Sequence, residues 1–204
     1  MPSRPAGFTL PGRSPVPWRS LALVLAALFA GLLPAQPAPA AEPPAITEVI
    51  VTNSQTELLV YLSVADGFPP EVVECLHSGM PLTFTFFLEL SEVRPAWPDR
   101  TLVEHSLERI LTYDSLRDEY RITEEEGDRA VVTIKAWRDA KARMAALAGF
   151  RMAPLSVLVP EGRYRLAAKV KLTRKGPAVK LLDLVPFLSF WDQESDWHAV
   201  EFRY

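Results

Sequence analysis

Residues 162–176, GRYRLAAKVKLTRKG, alternate between apolar and basic side chains along most of their length. The apolar positions of this segment are Tyr164, Leu166, Ala168, Val170 and Leu172, and the basic ones are Arg163, Arg165, Lys169 and Lys171. Successive side chains of a β-strand point to opposite faces of its sheet, so the two sets lie on opposite faces. The segment therefore predicts a strand with an apolar face and a basic face.

Other β-rich runs occur along the chain between polar turns. We predict further strands at residues 46–53, 57–68, 81–93, 101–113, 120–123, 130–137 and 197–204. Residues 46–68 and 113–123 are typical of hairpins. In residues 101–113 the leucines mix with charged residues, so a helix competes with a strand, and the hairpin that follows favours the strand.

Two short helices complete the pattern. Residues 70–78 begin with Pro70 and end before Gly79, and the alanine-rich residues 138–148 end before Gly149. About eight strands with two short helices, without β-α-β alternation, predict a mainly β fold. We expect an antiparallel β-sandwich or an open barrel.

The N-terminus has the features of a secretory signal peptide. Arg4, Arg13 and Arg19 make it basic, and no acidic residue precedes Glu42. The apolar run Leu21–Leu33 has 13 residues. That is too short for a membrane-spanning helix, which needs about 20 residues, but it fits the core of a signal peptide, which has about 7–15.

Small residues at Ala38 and Ala40 predict cleavage after Ala40 or one residue later. We therefore expect a signal peptide at residues 1–40, a Pro/Ala tether at 41–45 and a single β domain at 46–204. An uncleaved membrane anchor is the alternative. The expected mature protein is periplasmic and has no transmembrane helix.

The charge of the mature chain bears on its partners. Three of the 22 basic residues lie in the leader, which leaves 19 against 25 acidic residues, a net charge of about −6. A nucleic-acid-binding protein normally has a basic excess, so we expect no nucleic-acid partner. The chain has one cysteine, Cys75, so an internal disulfide is impossible and the core must supply the stability.

Several segments together resemble a bacterial family, the domain of unknown function catalogued as 4390. They are SGMPLTFTFFLEL, TYDSLRDEYRI, EGRYRLAAKVKL and SDWHAVEFRY, and they spread over residues 46–204. The resemblance implies an exported proteobacterial protein with no assigned activity and no catalytic residues to carry over. It also implies an envelope-signalling context, because genes of that family often lie beside a membrane sensor kinase of the nitrogen-regulation type.

Cys75 and His77 are the first candidate for chemistry. Residues two apart on a helix point about 200° away from each other, so a helix at 70–78 would keep this thiol and imidazole apart. A zinc site needs about four nitrogen or sulfur ligands, and the other histidines, His105 and His198, are far away in sequence. We expect a buried structural thiol, no metal and no cofactor.

The acids Asp192, Glu194 and Asp196 are the second candidate. They could form a glycosidase-type acid and base pair, which requires two carboxylates held in a groove, or they could bind calcium, although the Asp/Asn-x-Asp-x-Gly loop is missing. The favoured interpretation is a solvated loop. No nucleophile elbow, P-loop or Rossmann pattern occurs in the chain.

Three features could serve binding. The basic strand face (Arg163, Arg165, Lys169 and Lys171) could meet anionic lipid or an acidic partner, or it could be a solvated sheet face. Trp97 could be an exposed anchor, or it could fold onto the sandwich. The apolar run Leu181–Trp191 could cap the sandwich or serve as a docking patch.

These observations favour a non-enzymatic binding or interaction module of the cell envelope, and the outer domain of a sensor kinase is a possible partner. Two alternatives stay open. One is an envelope hydrolase that uses Asp192, Glu194 and Asp196. The other is a lipid or cell-wall carrier, which would need a large apolar cavity between the sheets.

Overall fold

The computed structural model describes residues 43–124, 130–174 and 192–204. These residues are mainly β, with 60% of them in strands, and the antiparallel sheets that they form do not close into a barrel, which confirms the predicted fold class. The predicted signal peptide and the apolar run Leu181–Trp191 lie outside the described residues.

The described residues form ten strands and two α-helices. The strands are β1 (Ala45–Asn53), β2 (Glu57–Ala65), β3 (Leu82–Glu92), β4 (Arg100–Asp114), β5 (Glu119–Glu124), β6 (Ala130–Ile134), β7 (Ala146–Pro154), β8 (Arg163–Arg174), β9 (Gln193–Glu194) and β10 (His198–Arg203). The helices are α1 (Pro70–His77) and α2 (Trp137–Met144), and a 3₁₀ turn covers Leu155–Val157. With eight residues each, both helices described here are too short to cross a membrane.

The strands form two sheets. The small sheet has the order β1-β2-β7, and the large sheet has the order β10-β8-β3-β4-β5-β6, with the short β9 also paired to β8. All of these pairings are antiparallel, and the predicted hairpins β1–β2 and β4–β5 are confirmed. Strand β3 lies between β8 and β4, where Phe86 pairs with Val170 on one side and Leu107 on the other.

The core lies between the sheets. On β3 and β8 the even-numbered residues face inward, among them Phe84, Phe86 and Leu166, and β2 contributes Leu58, Val60 and Leu62. Burial of one such side chain contributes about 1.5–3 kcal/mol. The alternation in the sequence of β8 therefore marks its buried face correctly.

The predicted helix at residues 138–148 is wrong at its C-terminal end. Helix α2 ends at Met144, and β7 begins at Ala146. In the pairing with β2, Val60 lies opposite Phe150 and Leu62 opposite Leu147, so Ala148 and Gly149 together oppose Tyr61 in a β-bulge. Gly149 has φ +70°, which suits this bulge. Pairing with β2 overrides the helix propensity of the alanines.

Two polar side chains on β4 join the large sheet to β7. The His105 Nε2 lies 2.9 Å from the backbone oxygen of Met152, a residue that a second bulge leaves out of the β2–β7 ladder. The Arg109 guanidinium donates to the backbone oxygen of Arg143 at 2.7 Å and to that of Ala146. These hydrogen bonds connect β4 to β7 and to the C-terminal end of α2, because they satisfy backbone carbonyl groups of both elements.

Candidate interaction surface

The outer face of β8 carries the predicted basic residues. Arg163, Arg165, Lys169 and Lys171 alternate with buried neighbours such as Tyr164 and Leu166. The expected separation of the two faces is confirmed. The four cations are therefore on the solvent side of the large sheet.

Each of these four cations has an acidic partner, and the set of eight is called here the ion-pair face. Its pairs are Arg163–Glu201 at 3.1 Å, Arg165–Glu201 at 2.7 Å, Arg165–Asp99 at 2.5 Å, Lys169–Glu194 at 3.1 Å and Lys171–Asp192 at 3.4 Å. Four positive groups balance four negative ones. Because these charges cancel, the ion-pair face has no local basic excess with which to attract anionic lipid.

Glu201 on β10 is the centre of this arrangement. Its hydrogen bonds from Arg165 and then from Arg163 lower the pKa of its carboxyl group. The pKa of Arg165 is raised, first by its hydrogen bond to Glu201 and next by the charge of Asp99. Both groups therefore stay ionised at neutral pH, and the pairs hold long side chains in fixed positions.

Trp97 lies at one end of the ion-pair face, in the loop between β3 and β4. The N–H of Val93 donates to the backbone oxygen of Arg163 at 2.8 Å, and Asp99 pairs with Arg165, so both ends of the loop are fixed to β8. Ala96 has φ +63°, an unfavourable value for alanine. The Trp97 side chain is 74% exposed. The ring of Trp97 is therefore exposed and is not folded onto the sandwich.

Trp197 is a second exposed tryptophan, which the sequence analysis missed. It immediately precedes β10 and is 52% exposed, with the Lys169 Nζ 5.9 Å from the centre of its ring. The buried hydroxyl of Ser195 fixes this segment, because it accepts from the N–H of Val170 at 3.0 Å and donates to the oxygen of Asp196 at 2.9 Å. The alternation of β10 could have predicted this exposure, because Trp197 lies four residues before the outward-facing Glu201 and so belongs to the same face of the strand.

The family model for the domain of unknown function DUF4390 matches residues 41–201. The chain belongs to this family. No curated protein and no solved structure matches the chain. The resemblance noted in the sequence is thus confirmed, and the chemistry of the DUF4390 domain has to be argued from its own residues.

The geometry of Asp192, Glu194 and Asp196 does not match the hydrolase alternative, which requires two carboxylates that face each other in a groove. Asp192 and Glu194 form ion pairs with lysines on β8, and their side chains are 57% and 54% exposed, so they do not face each other in a deep cleft. Asp196 is also exposed. Across the ranges that the structure covers, no group of three or more His, Cys, Asp or Glu side chains could hold a metal ion.

Cys75 and His77 lie at the end of helix α1. The helix runs from Pro70 to His77, and Gly79 has φ +92°, as expected just beyond a helix end. The prediction of a buried thiol is wrong, because Cys75 is only half-buried. The His77 Nε2 lies 2.8 Å from the Tyr120 hydroxyl oxygen. His77 is thereby part of a packed aromatic cluster.

That aromatic cluster fills the space between α1, the β4–β5 hairpin and α2. The ring centre of His77 is 4.8 Å from that of Tyr113, and the ring of Tyr120 is 5.4 Å from that of Trp137. Burial, followed by the charge of Asp118, raises the pKa of Tyr120. Both effects keep the Tyr120 hydroxyl protonated, so it retains a proton that it can donate in a hydrogen bond.

A groove of about 620 Å³ lies on the solvent side of the small sheet. Exposed Ile50 and Tyr61 line it, beside Ala148 in the β7 bulge. A carrier of lipid or cell-wall fragments would instead need a cavity between the sheets. Large buried side chains, among them Phe84, Phe86 and Tyr164, fill the space there. The groove therefore does not supply the cavity that the carrier hypothesis requires.

Proposed function

We propose that this DUF4390 protein is a non-enzymatic interaction module of the bacterial cell envelope, which binds another envelope protein through the ion-pair face and the two tryptophans beside it. The observation that carries the proposal is the exposure of Trp97 and Trp197 next to a charge-balanced, ordered surface. Tryptophan and arginine are enriched among the residues that dominate binding energy in protein interfaces.

The ion pairs support this proposal by reducing the cost of binding. Ordering of a long, flexible side chain costs about 0.5–1.5 kcal/mol when a complex forms. Arg165 is already held by Glu201 and Asp99, and Lys169 by Glu194. A partner would thus meet a surface whose cations are already positioned. Its charge pattern would specify orientation more than it would strengthen binding.

Export to the periplasm is part of the same proposal and is supported by the signal-peptide pattern of residues 1–40. The outer domain of a sensor kinase is the partner that the family context favours. N-terminal sequencing and cell fractionation test the location. We expect a mature N-terminus at Ala41 or Glu42 in the periplasmic fraction. A chain that begins at Met1 in the cytoplasm would reject this part.

The binding proposal is tested with the exported protein as bait in envelope extract. Trp97→Ala and Trp197→Ala should each reduce recovery of a specific partner at least about tenfold, as expected for residues worth more than about 1.4 kcal/mol in binding. Leu116→Ala is the matched control, because Leu116 is 96% exposed in the β4–β5 turn, away from the ion-pair face. Equal recovery with all three variants would reject this surface.

The charge pattern is tested separately. Lys169→Glu reverses one charge of the ion-pair face, and Lys169→Glu combined with Glu194→Lys restores an ion pair of opposite polarity. If the partner recognises the position of each charge, the single and the double variant both bind it more weakly. If only the ordering of the pair matters, the double variant recovers the binding that the single variant loses. Full binding by the single variant would exclude this pair from the interface.

A further inference from the structure

The groove on the solvent side of the small sheet contains an aromatic ring that the β7 bulge holds in place. Tyr61 lies on β2, and a Cβ on Gly149 would be 3.2 Å from its hydroxyl oxygen and 3.5 Å from the ring carbon Cζ. Because Gly149 has no side chain, the ring can lie close to the backbone of β7. Tyr61 nevertheless stays 39% exposed, so its ring is available to a ligand in the groove.

The same groove carries a charge that is not balanced. Among the described residues that line it, Glu48 is the charged one, and Ile50, Leu62 and Ala148 are apolar. In the part of the chain that the structure describes, the exposed Glu48 side chain has no ion-pair or hydrogen-bond partner. The acids of the ion-pair face, by contrast, are each paired with a basic side chain. A ligand that complements this groove therefore brings a positive charge.

The ring and the carboxylate are close enough for one ligand group to contact both. In the β1–β2 ladder Glu48 lies opposite Ser63, and Ile50 lies opposite Tyr61, so Glu48 and Tyr61 are diagonal neighbours on one face of the sheet. Diagonal neighbours are about 7–8 Å apart, which is within reach of aromatic and long side chains. An aromatic ring attracts a cation that lies within about 6 Å of its centre. A cation between the two residues would thus have a carboxylate on one side and a ring on the other.

A guanidinium group suits this arrangement better than an ammonium group. It is planar and more weakly hydrated than an ammonium, so it can stack on an aromatic ring while its N–H groups donate to a carboxylate. The apolar stem of an arginine can also lie along an apolar surface, which Ile50 provides beside Tyr61. The charge, the ring and the apolar surface together indicate an arginine side chain.

We propose that the groove on the small sheet binds an arginine side chain from an exposed peptide segment of another protein, with the guanidinium between the Glu48 carboxylate and the Tyr61 ring. Ile50 and Ala148 provide apolar contacts for the residues that flank the arginine. The groove belongs to the small sheet, whereas the ion-pair face belongs to the large sheet. The proposal therefore goes beyond the proposed function and does not depend on it.

Two peptides that differ in one charge test this binding. Acetyl-Leu-Ala-Arg-Ala-Leu-amide carries the guanidinium, and the same peptide with citrulline in place of arginine carries a neutral group of similar shape. In an NMR titration of the exported protein, the arginine peptide should shift the signals of Ile50, Tyr61 and Ala148. It should bind at least about fivefold more tightly than the citrulline peptide. Equal binding of the two peptides, shifts confined to other residues, or no binding would each overturn the proposal.

Variants of the groove show whether its own residues supply the preference for arginine. Glu48→Gln should reduce that preference at least about twofold, and Tyr61→Leu, which keeps an apolar side chain, should weaken binding of the arginine peptide to a similar extent. Glu74→Gln is the matched control, because Glu74 is an exposed glutamate on α1 and its replacement removes the same charge elsewhere. An equal loss of preference with Glu74→Gln would assign the effect to net charge and reject the groove.

Sedimentation equilibrium tests a second copy of this chain as the occupant of the groove. We expect the mass of one chain for both the wild type and Glu48→Gln at every concentration. A wild-type dimer that Glu48→Gln dissociates would assign the groove to self-association and overturn the peptide as its ligand.

Discussion

Replacement of Arg109 by methionine tests how the two sheets are joined. The Arg109 side chain is 12% exposed and donates to the backbone oxygens of Arg143 and Ala146. Its Nε lies 3.3 Å from a carboxylate oxygen of Glu124, and its guanidinium lies 5.6 Å from the ring centre of Phe86. Methionine preserves the apolar stem and removes the donors and the charge.

The expected loss follows from these contacts. A hydrogen bond to a charged donor contributes about 1.5–3 kcal/mol. Two carbonyl groups lose such a donor, while Glu124 keeps Arg143 as an ion-pair partner. Partial access of water to the freed carbonyls places the loss of stability at about 3 kcal/mol. With a urea m-value of about 2 kcal/mol/M, the midpoint of unfolding should fall by about 1.5 M.

Urea unfolding followed by circular dichroism measures this shift. The m-value should stay unchanged, because the same surface is exposed on unfolding. Arg165→Met is the matched control, since Arg165 is also a doubly paired arginine on a strand, but in solvent. It should shift the midpoint much less, because exposed ion pairs contribute little. Equal shifts for the two variants would refute the argument that burial makes Arg109 important.

Three further predictions follow from single residues. The lowered pKa of Glu201 means that its contribution to stability is present above its unfolded value, about 4.3, and is lost as the pH falls through the folded value. The urea midpoints of wild type and Glu201→Gln should therefore differ at neutral pH and converge as the pH falls through the lowered pKa of Glu201, and a constant difference would contradict this. Gly149→Ala should destabilise the domain by about 1–2 kcal/mol more than a neutral surface change, measured by thermal unfolding, because φ is +70° and the new Cβ would lie 3.2 Å from the Tyr61 hydroxyl. Gly79 has φ +92° and open space around its Cα, so Gly79→Ala should lower stability only through backbone strain. A larger loss of stability for Gly79→Ala than for Gly149→Ala would contradict this reasoning. The half-buried Cys75 thiol should react with a thiol reagent in the native protein, more slowly than in urea, and complete protection before unfolding would contradict its exposure.

The sequence predicts β8 well because one face of that strand packs in the core and the other faces solvent, so its apolar and charged residues alternate. Apolar residues such as Leu166 and Val170 enter the core, and the charged residues stay outside. Strand β7 could not be predicted in the same way. Its bulges interrupt the period of two, and its alanines favour a helix until β2 supplies the pairing. The local sequence of this segment favours a helix, whereas pairing with β2 requires a strand, and the structure has the strand.

Only the basic half of the ion-pair face could be predicted from the sequence. The basic residues of β8 can be read from their alternation, but their acidic partners lie far away in sequence: Glu201 is 36 residues from Arg165, and Asp99 is 66 residues away. Only the strand order that places β10 beside β8 brings Glu201 to this surface. The exposure of Trp97 depends on the loop geometry around Ala96, which local composition does not determine.

Charge balance also limits how a partner can use this surface. A protein that buried Arg165 would have to bury Glu201 and Asp99 with it, or break those pairs and leave a charge without a partner, which is costly. Contacts centred on Trp97 and Trp197 avoid this cost, because the rings can be buried while the ion pairs stay hydrated at the rim. Binding through the tryptophans should therefore depend only weakly on salt, because the charges of the ion-pair face cancel and burial of the rings is an apolar contribution that salt does not screen.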